Sequence, residues 1–362
     1  MSKPFRLGLV MDLALGWRTN YHNWVQHFPQ DMNVEPTWIV LSDDKSLWID
    51  KVPGIPNRIK KRLRASLMLR EGLRQGPFDA TFIATSSALT TLPRYMKAHP
   101  CFLYIDSTPK QLFEFGDYYH WYPSKNPRVE QWKHQKRAAG YQSALGVFST
   151  SQWAANSVVA DYGASPANMH DLPYGVDMNQ WQPSDPSLKA AKEGCDLLFV
   201  GGDFVRKGGP LLLDWAAKTE ATGWRLHLVT PHAVKTDDPR ISVYHDMTSN
   251  DPRLQKLYTQ ADIFVLPTIA DCFSLAGIEA LASGIPLLIG DTGGTSEVVQ
   301  TGKTGYLLPQ NDPSVLSQNL ASLIGNPSLR AEMGYAARAD AEERFSAPNL
   351  VKRAVQIMMK RV

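Results

Sequence analysis

Short apolar runs rich in β-formers alternate with helix-like stretches along the whole chain, and this alternation limits the fold more than any other feature. In the first half the pattern predicts strands at Phe5–Asp12, Thr37–Leu41, Ala80–Ala84, Phe102–Asp106, Gly146–Ser149 and Met169–Pro173. In the second half it predicts them at Leu197–Gly201, Arg225–Val229, Ile241–His245, Ile263–Pro267, Pro286–Gly290 and Gly305–Leu308. Several of these runs are continuously apolar, as strands covered on both faces are, so parallel sheets are expected. The fold class is α/β, with two Rossmann-like, doubly wound domains. A length of 362 residues agrees with two cores rather than one. The polar, proline-bearing stretch Trp181–Gly194 marks the boundary. The expected domains are 1–180 and 181–345, with residues 346–362 packing back on the first.

Hydrophobic residues make up 43% of the chain and charged residues 20%, the balance of a folded soluble protein. No apolar run approaches the roughly 20 residues of a membrane span. The first residues, Met1 to Arg6, show no signal-peptide pattern. Cys101, Cys195 and Cys272 are isolated thiols without metal spacing, so a reducing cytoplasm is expected. A net charge of +3 is too mild to point to nucleic acid. The cations are nevertheless concentrated. Between Asn57 and Arg74 stand Arg58, Lys60, Lys61, Arg62, Arg64, Arg70 and Arg74 against one acid, Glu71. Ile59, Leu63 and Leu67 recur at four-residue spacing, which predicts a basic amphipathic helix. Such a helix is either a solvated surface element or a contact for an anionic acceptor or the inner membrane face.

The most informative segment runs from Ala261 to Pro309. A buried strand ends at Pro267, and a short helix opens near Ser274, a plausible N-cap. Leu275, Ile278, Leu281 and Ala282 form its apolar stripe, and Gly284 and Pro286 stop it. In an open α/β sheet the start of such a helix faces the ligand crevice. The backbone N–H groups of Phe273, Ser274 and Leu275 would then form an anion site for a diphosphate. Glu279 lies one turn into this apolar helix. If buried it needs donors, and two vicinal ribose hydroxyls would serve; otherwise it is a helix-surface glutamate. Asp271 sits at the helix mouth, as a ligand-facing acid or a loop-capping one. Upstream, Gly201, Gly202, Gly208 and Gly209 bracket Arg206-Lys207 at the end of another strand. Paired cations there can clamp a diphosphate, and the glycines would let it approach the backbone. The dinucleotide fingerprint G-x-G-x-x-G is absent, which argues against an NAD enzyme.

Together these residues resemble the retaining glycosyltransferases of family 4, the glycosyl transferases group 1, whose architecture is GT-B. That family carries two acids separated by seven residues, in the setting E-x-F-G-x-x-x-x-E-A-x-A-x-G-x-P. Here the segment from Asp271 to Pro286 reads D-C-F-S-L-A-G-I-E-A-L-A-S-G-I-P. Lys207-Gly208 matches the end of the family's glycine-rich turn, and Gly293-Gly294-Thr295-Ser296-Glu297 matches its G-G-x-x-E segment. The likeness covers nearly all of residues 140–350 and is weaker before them. The first acid is Asp271 where the family has Glu, and Gly202 stands where the family commonly has Arg, a charge that Arg206 can replace.

The resemblance implies two domains facing a central cleft that closes on a nucleotide-sugar donor. It implies that Arg206 and Lys207 hold the diphosphate, and that Glu279 binds the ribose. It also implies that Asp271 reaches the transferred sugar and that the amides of Phe273 to Leu275 complete the pocket. Gly202 and Gly16 would line the donor site. Asp106, at a strand end in the first domain, is a catalytic candidate or a turn aspartate. His120 lies among Tyr118, Tyr119, Trp121 and Tyr122, which either pack it or stack on a sugar acceptor. No cofactor and no metal is expected, since the chain has no Asp-x-Asp triplet. The acceptor would be a glycan, a glycolipid or a small molecule. An epimerase of the same fold and a non-catalytic nucleotide-sugar-binding subunit are the alternatives.

Overall fold

The computed structural model describes residues 3–13, 16–42, 47–85, 88–185, 192–249, 251–310 and 312–362. Residues 186–191 of the expected boundary stretch lie outside the described residues, as do the side chains of Arg58 and Arg62. The chain divides into two compact units, Met1–Pro173 with Pro348–Val362, and Tyr174–Ala347. The segment after Pro173 is tied into unit 2 by a bridge between Val176 and Ser346. The last helix, Ala347–Arg361, is held in unit 1: Arg353 donates to the Asp171 carbonyl at 2.6 Å and Arg361 to that of Leu145 at 2.7 Å.

Each unit is built on one six-stranded parallel sheet. In unit 1 the strands are β1 (Phe5–Asp12), β2 (Val34–Leu41), β3 (Ala80–Ala84), β4 (Cys101–Ile105), β5 (Gly146–Ser149) and β6 (Met169–Asp171), in the order β2-β1-β3-β4-β5-β6. In unit 2 they are β7 (Cys195–Val200), β8 (Trp224–Val229), β9 (Ile241–Tyr244), β10 (Ile263–Leu266), β11 (Leu287–Gly290) and β12 (Gly305–Leu308), in the order β12-β11-β10-β7-β8-β9. The continuously apolar runs are the inner strands: β3, β4, β10 and β11 are buried at every residue. Helices on both faces exclude water from them, which is why no alternation was visible. These two sheets are the two doubly wound domains that the alternation predicts.

Strand β2 begins three residues earlier than Thr37 because Pro36 lies inside it. A proline is tolerated there since β2 is the sheet edge. The basic segment forms the expected helix, Asn57–Leu73, with the start of its apolar stripe facing outward. Met68, Leu69 and Gly72 are buried, while Ile59 and Leu63 are exposed. Gly72 explains this orientation, for a Cβ there would come within 2.1 Å of the Ile39 side chain on β2. Among the described residues no helix is long and apolar enough to cross a membrane.

In unit 2 the turns act as the spacing requires. Ser274 caps the helix Leu275–Ala282, its Oγ accepting from Gly277 N at 3.2 Å. Asp312 caps the helix Pro313–Gly325 in the same way. Gly305 lets β12 pair closely with β11, and an added Cβ would lie 1.9 Å from the Leu287 carbonyl oxygen. Gly305→Ala is therefore expected to destabilise the protein by at least about 2 kcal/mol. Gly325→Ala, which meets nothing within 4 Å, should be neutral or slightly stabilising. Thermal melts of both variants check this; equal melting temperatures would contradict it.

Candidate active site in the second unit

In unit 2 the strand order reverses between β7 and β10: β8 and β9 lie to one side of β7, and β10 to β12 to the other. Ligands of open α/β sheets bind beyond the strand ends at such a switch point. The two loops leaving this point carry Arg206-Lys207 and Asp271. They are stitched together by the backbone, as Ile269 N donates to the Arg206 carbonyl at 2.9 Å. The Thr268 hydroxyl donates to the same carbonyl at 3.3 Å.

Lys207 and Asp271 form a close ion pair, Nζ to Oδ2, with both side chains largely buried. The Arg206 guanidinium stands 3.9 Å from the other carboxylate oxygen and donates to the Ala270 carbonyl at 2.8 Å. Burial pushes the Lys207 ammonium below its ordinary pKa, and the adjacent Arg206 adds to this, while Asp271 opposes it. A polyanion entering here would meet two fixed cations.

Most glycines of the turn serve protein packing rather than ligand approach. Gly208 has φ +82°, and a Cβ there would lie 1.9 Å from the Pro267 carbonyl oxygen. A Cβ on Gly209 would run into the Phe204 ring at 2.1 Å, and one on Gly201 into Phe199 at 2.9 Å. Gly202 alone of the four faces open space.

The helix Leu275–Ala282 starts beside Asp271. Among the described residues the backbone N–H groups of Phe273, Ser274 and Leu275 meet no protein acceptor. This leaves a short row of donors at a helix N-terminus, where the dipole also favours an anion. The glycine loop after β11 closes on the same place, with Gly294 N donating to the Cys272 carbonyl at 3.0 Å.

Glu279 is buried, with 7% of its surface exposed. The helix-surface reading therefore does not hold. Its donor within the protein is Tyr258, whose hydroxyl lies 3.0 Å from Oε2. Burial raises the Glu279 carboxyl to a pKa of about 8, against the hydrogen bond from Tyr258. Burial and the neighbouring Glu279 hold the Tyr258 phenol well above its usual value, so the tyrosine remains the donor. Trp181 packs edge-on against Tyr258 at 4.8 Å and Phe264 stacks on it at 5.6 Å. Arg338 fixes this support, donating at 2.7 Å to the carbonyls of both Trp181 and Ala282.

The structure thus brings together Arg206, Lys207, Asp271, Phe273, Ser274 and Leu275, with Glu279 one turn deeper. Gly16 and Asp106 belong to unit 1. Gly16 precedes the helix Trp17–Gln26, and the Asp106 carboxylate accepts from the Ser107 hydroxyl at 3.0 Å. His120 has φ +50°, unusual for a residue with a side chain. Tyr258, Trp181 and Arg338 were not anticipated. A signal for Tyr258 exists, because it falls on the buried stripe Leu254, Leu257, Tyr258 of the helix Pro252–Gln260. A tyrosine at such a position needs a partner for its hydroxyl.

Two doubly wound parallel sheets of this topology make up the GT-B fold. Sucrose-phosphate synthase of Thermosynechococcus elongatus superposes with a TM-score of 0.75 at 14% identity, over 98% of each chain. Anabaena HepE, solved with UDP-glucose, superposes with a TM-score of 0.70 at 15% identity, over 98% of this chain and 99% of that one. Residues 235–340 match the model of the family Glycosyl transferases group 1. A D-inositol 3-phosphate glycosyltransferase of Gordonia bronchialis is 27% identical over 237 residues, 58% of this chain and 52% of that protein. The chain spans about half the length of the curated relatives it matches in this way.

Glu279 binds its proton more tightly in the folded chain than unfolded. Its contribution to stability is therefore fully present below about pH 4.5 and is lost as pH rises towards 8. The loss accrues at about 1.4 kcal/mol per pH unit. Glu279→Gln keeps the shape and an acceptor for Tyr258 without the ionisation. The variant's stability relative to the wild type should therefore rise between pH 5 and pH 8 in denaturant titrations. A pH-independent difference would contradict the assignment.

Proposed function

We propose that this chain is a retaining, metal-independent hexosyltransferase. It takes a sugar from a nucleoside diphosphate donor and passes it to a hydroxyl of a glycan, glycolipid or small molecule. One observation carries this reading: two cations and a row of open helix amides converge at the switch point, with a buried carboxylate one turn behind them. A diphosphate matches the cations and amides, and a ribose diol matches the carboxylate. UDP-glucose, with which HepE was solved, is chemically of this kind.

In this reading the diphosphate takes over Lys207, with Arg206 beside it, and lies against the amides of Phe273 to Leu275. The ribose hydroxyls donate to Glu279, whose second donor is Tyr258. Asp271, released from Lys207, accepts from hydroxyls of the sugar. The bond from the anomeric carbon to the diphosphate oxygen breaks while the acceptor oxygen bonds to the same face. The departing phosphate takes the acceptor proton, and the two cations stabilise the charge left on it. Gly202 borders the donor in unit 2.

Thermal shifts with UDP, GDP, ADP and their hexose conjugates, in the presence of a chelator, test this. One base should stabilise the wild type, by about 2.7 kcal/mol at a hundredfold excess over Kd. Lys207→Ala and Glu279→Ala should each remove most of that gain. If no nucleotide stabilises the wild type, the reading falls. Consumption of the donor at the same rate with and without an acceptor would favour an epimerase instead.

A further inference from the structure

The exposed apolar side chains are unevenly distributed. Among the described residues every exposed tryptophan lies in unit 1: Trp48, Trp121 and Trp132. They flank two helix starts. Trp48 opens the short turn Trp48–Lys51, which is fastened to the basic helix Asn57–Leu73 by an Arg64–Asp50 ion pair at 2.9 Å. Lys60 adds a bond to the Asp50 carbonyl at 3.0 Å. On the first turns of that helix Ile59 and Leu63 are 50% and 42% exposed. Trp121 precedes the helix Pro127–Ser143, and Trp132 lies on its second turn with the Lys136 ammonium 5.9 Å from its ring.

The topology places these two helix starts on one side of unit 1. The first helix links β2 to β3 and the second links β4 to β5, and both steps run in the same direction along the sheet. Right-handed crossovers put both helices on the same face. The short helix Ala88–Thr91 touches both. Each helix begins at the C-terminal edge of the sheet, so the two sets of exposed residues share an edge and a face.

We propose that this edge of unit 1 docks on an anionic phospholipid surface. Aromatic and aliphatic side chains stand singly among lysines and arginines rather than in a continuous apolar patch. That arrangement suits a fluid interface, where each ring or chain enters the headgroup region while the cations meet lipid phosphates. A protein partner would call for a contiguous, charge-depleted centre. Charge complementarity points the same way: Lys61 near the start of the first helix, and Lys125 and Arg128 at the start of the second, are exposed cations, in a chain whose net charge is only +3. The inference goes beyond the donor reading and does not depend on it.

The test is sedimentation of the full chain with vesicles of phosphatidylglycerol and phosphatidylcholine, beside vesicles of phosphatidylcholine alone. Binding to the anionic vesicles at low salt, at least about tenfold stronger than to the neutral ones and weakened by salt, is expected. Each cation near the surface is worth about a fivefold change in partitioning. Lys61→Glu with Arg128→Glu should therefore weaken binding by at least about 25-fold. Trp48→Ala with Trp132→Ala should weaken it and reduce the blue shift of tryptophan emission on vesicles. Circular dichroism and nucleotide thermal shifts of these variants should match the wild type, which separates lost docking from lost folding and from a failed donor site. No sedimentation with anionic vesicles overturns the proposal, as does sedimentation that the variants leave unchanged. Capture by heparin without vesicle binding also overturns it, in favour of a soluble polyanionic partner.

Discussion

A carboxylate closed inside an apolar helix needs a donor, and in unit 2 that requirement organises much of the surrounding packing. Glu279 receives the Tyr258 hydroxyl at 3.0 Å. Tyr258 in turn is wedged between Trp181 and Phe264. Arg338 holds the Trp181 backbone and the last turn of the Glu279 helix with one guanidinium. Four elements distant in sequence thus converge to keep one side chain in place. The cost of burial shows in the carboxyl pKa of about 8. A stably folded chain has little reason to keep such a group unless it is used, since replacing a buried ionisable group by a neutral one is often neutral or stabilising.

The second constraint is electrostatic. Lys207 and Asp271 leave different loops and meet at the sheet's switch point. Each neutralises the other's burial, so the two loops stay fixed without a ligand between them. The pair also forms a latent exchange site. A diphosphate can compete for the ammonium, and a polyol can compete for the carboxylate. The helix amides beside them supply neutral donors that need no counter-charge. A single cluster can therefore receive both ends of a sugar diphosphate.

Much of this was legible in the sequence because it depends on local pattern. Continuous apolar runs announced buried parallel strands, and Ser274, Asp312 and Gly284 stood where helix ends need them. The spacing of Asp271 and Glu279 located the candidate site. What escaped depended on contacts across the fold. Tyr258 lies 21 residues from Glu279, and no local rule pairs them. The glycines beside Lys207 looked like room for a ligand, yet Gly208 and Gly209 make room for Pro267 and Phe204. The basic helix showed its apolar spacing plainly, but the close approach of Gly72 to Ile39 turned the start of that stripe outward. Sidedness of this kind is set by the partner surface rather than by the helix itself.

The central claim is that the buried carboxylate of Glu279 receives the donor's ribose. Proton release on nucleotide binding tests it most directly. With a pKa of about 8 the carboxyl is mostly protonated at pH 7, and ribose hydroxyls that donate to it favour its ionised form. Calorimetric titration of the stabilising nucleoside diphosphate, in buffers of different ionisation enthalpy, measures the protons exchanged. The account predicts release approaching one proton per nucleotide at pH 7, falling away at higher pH and absent in Glu279→Gln. Binding with the same proton balance in wild type and Glu279→Gln would contradict it.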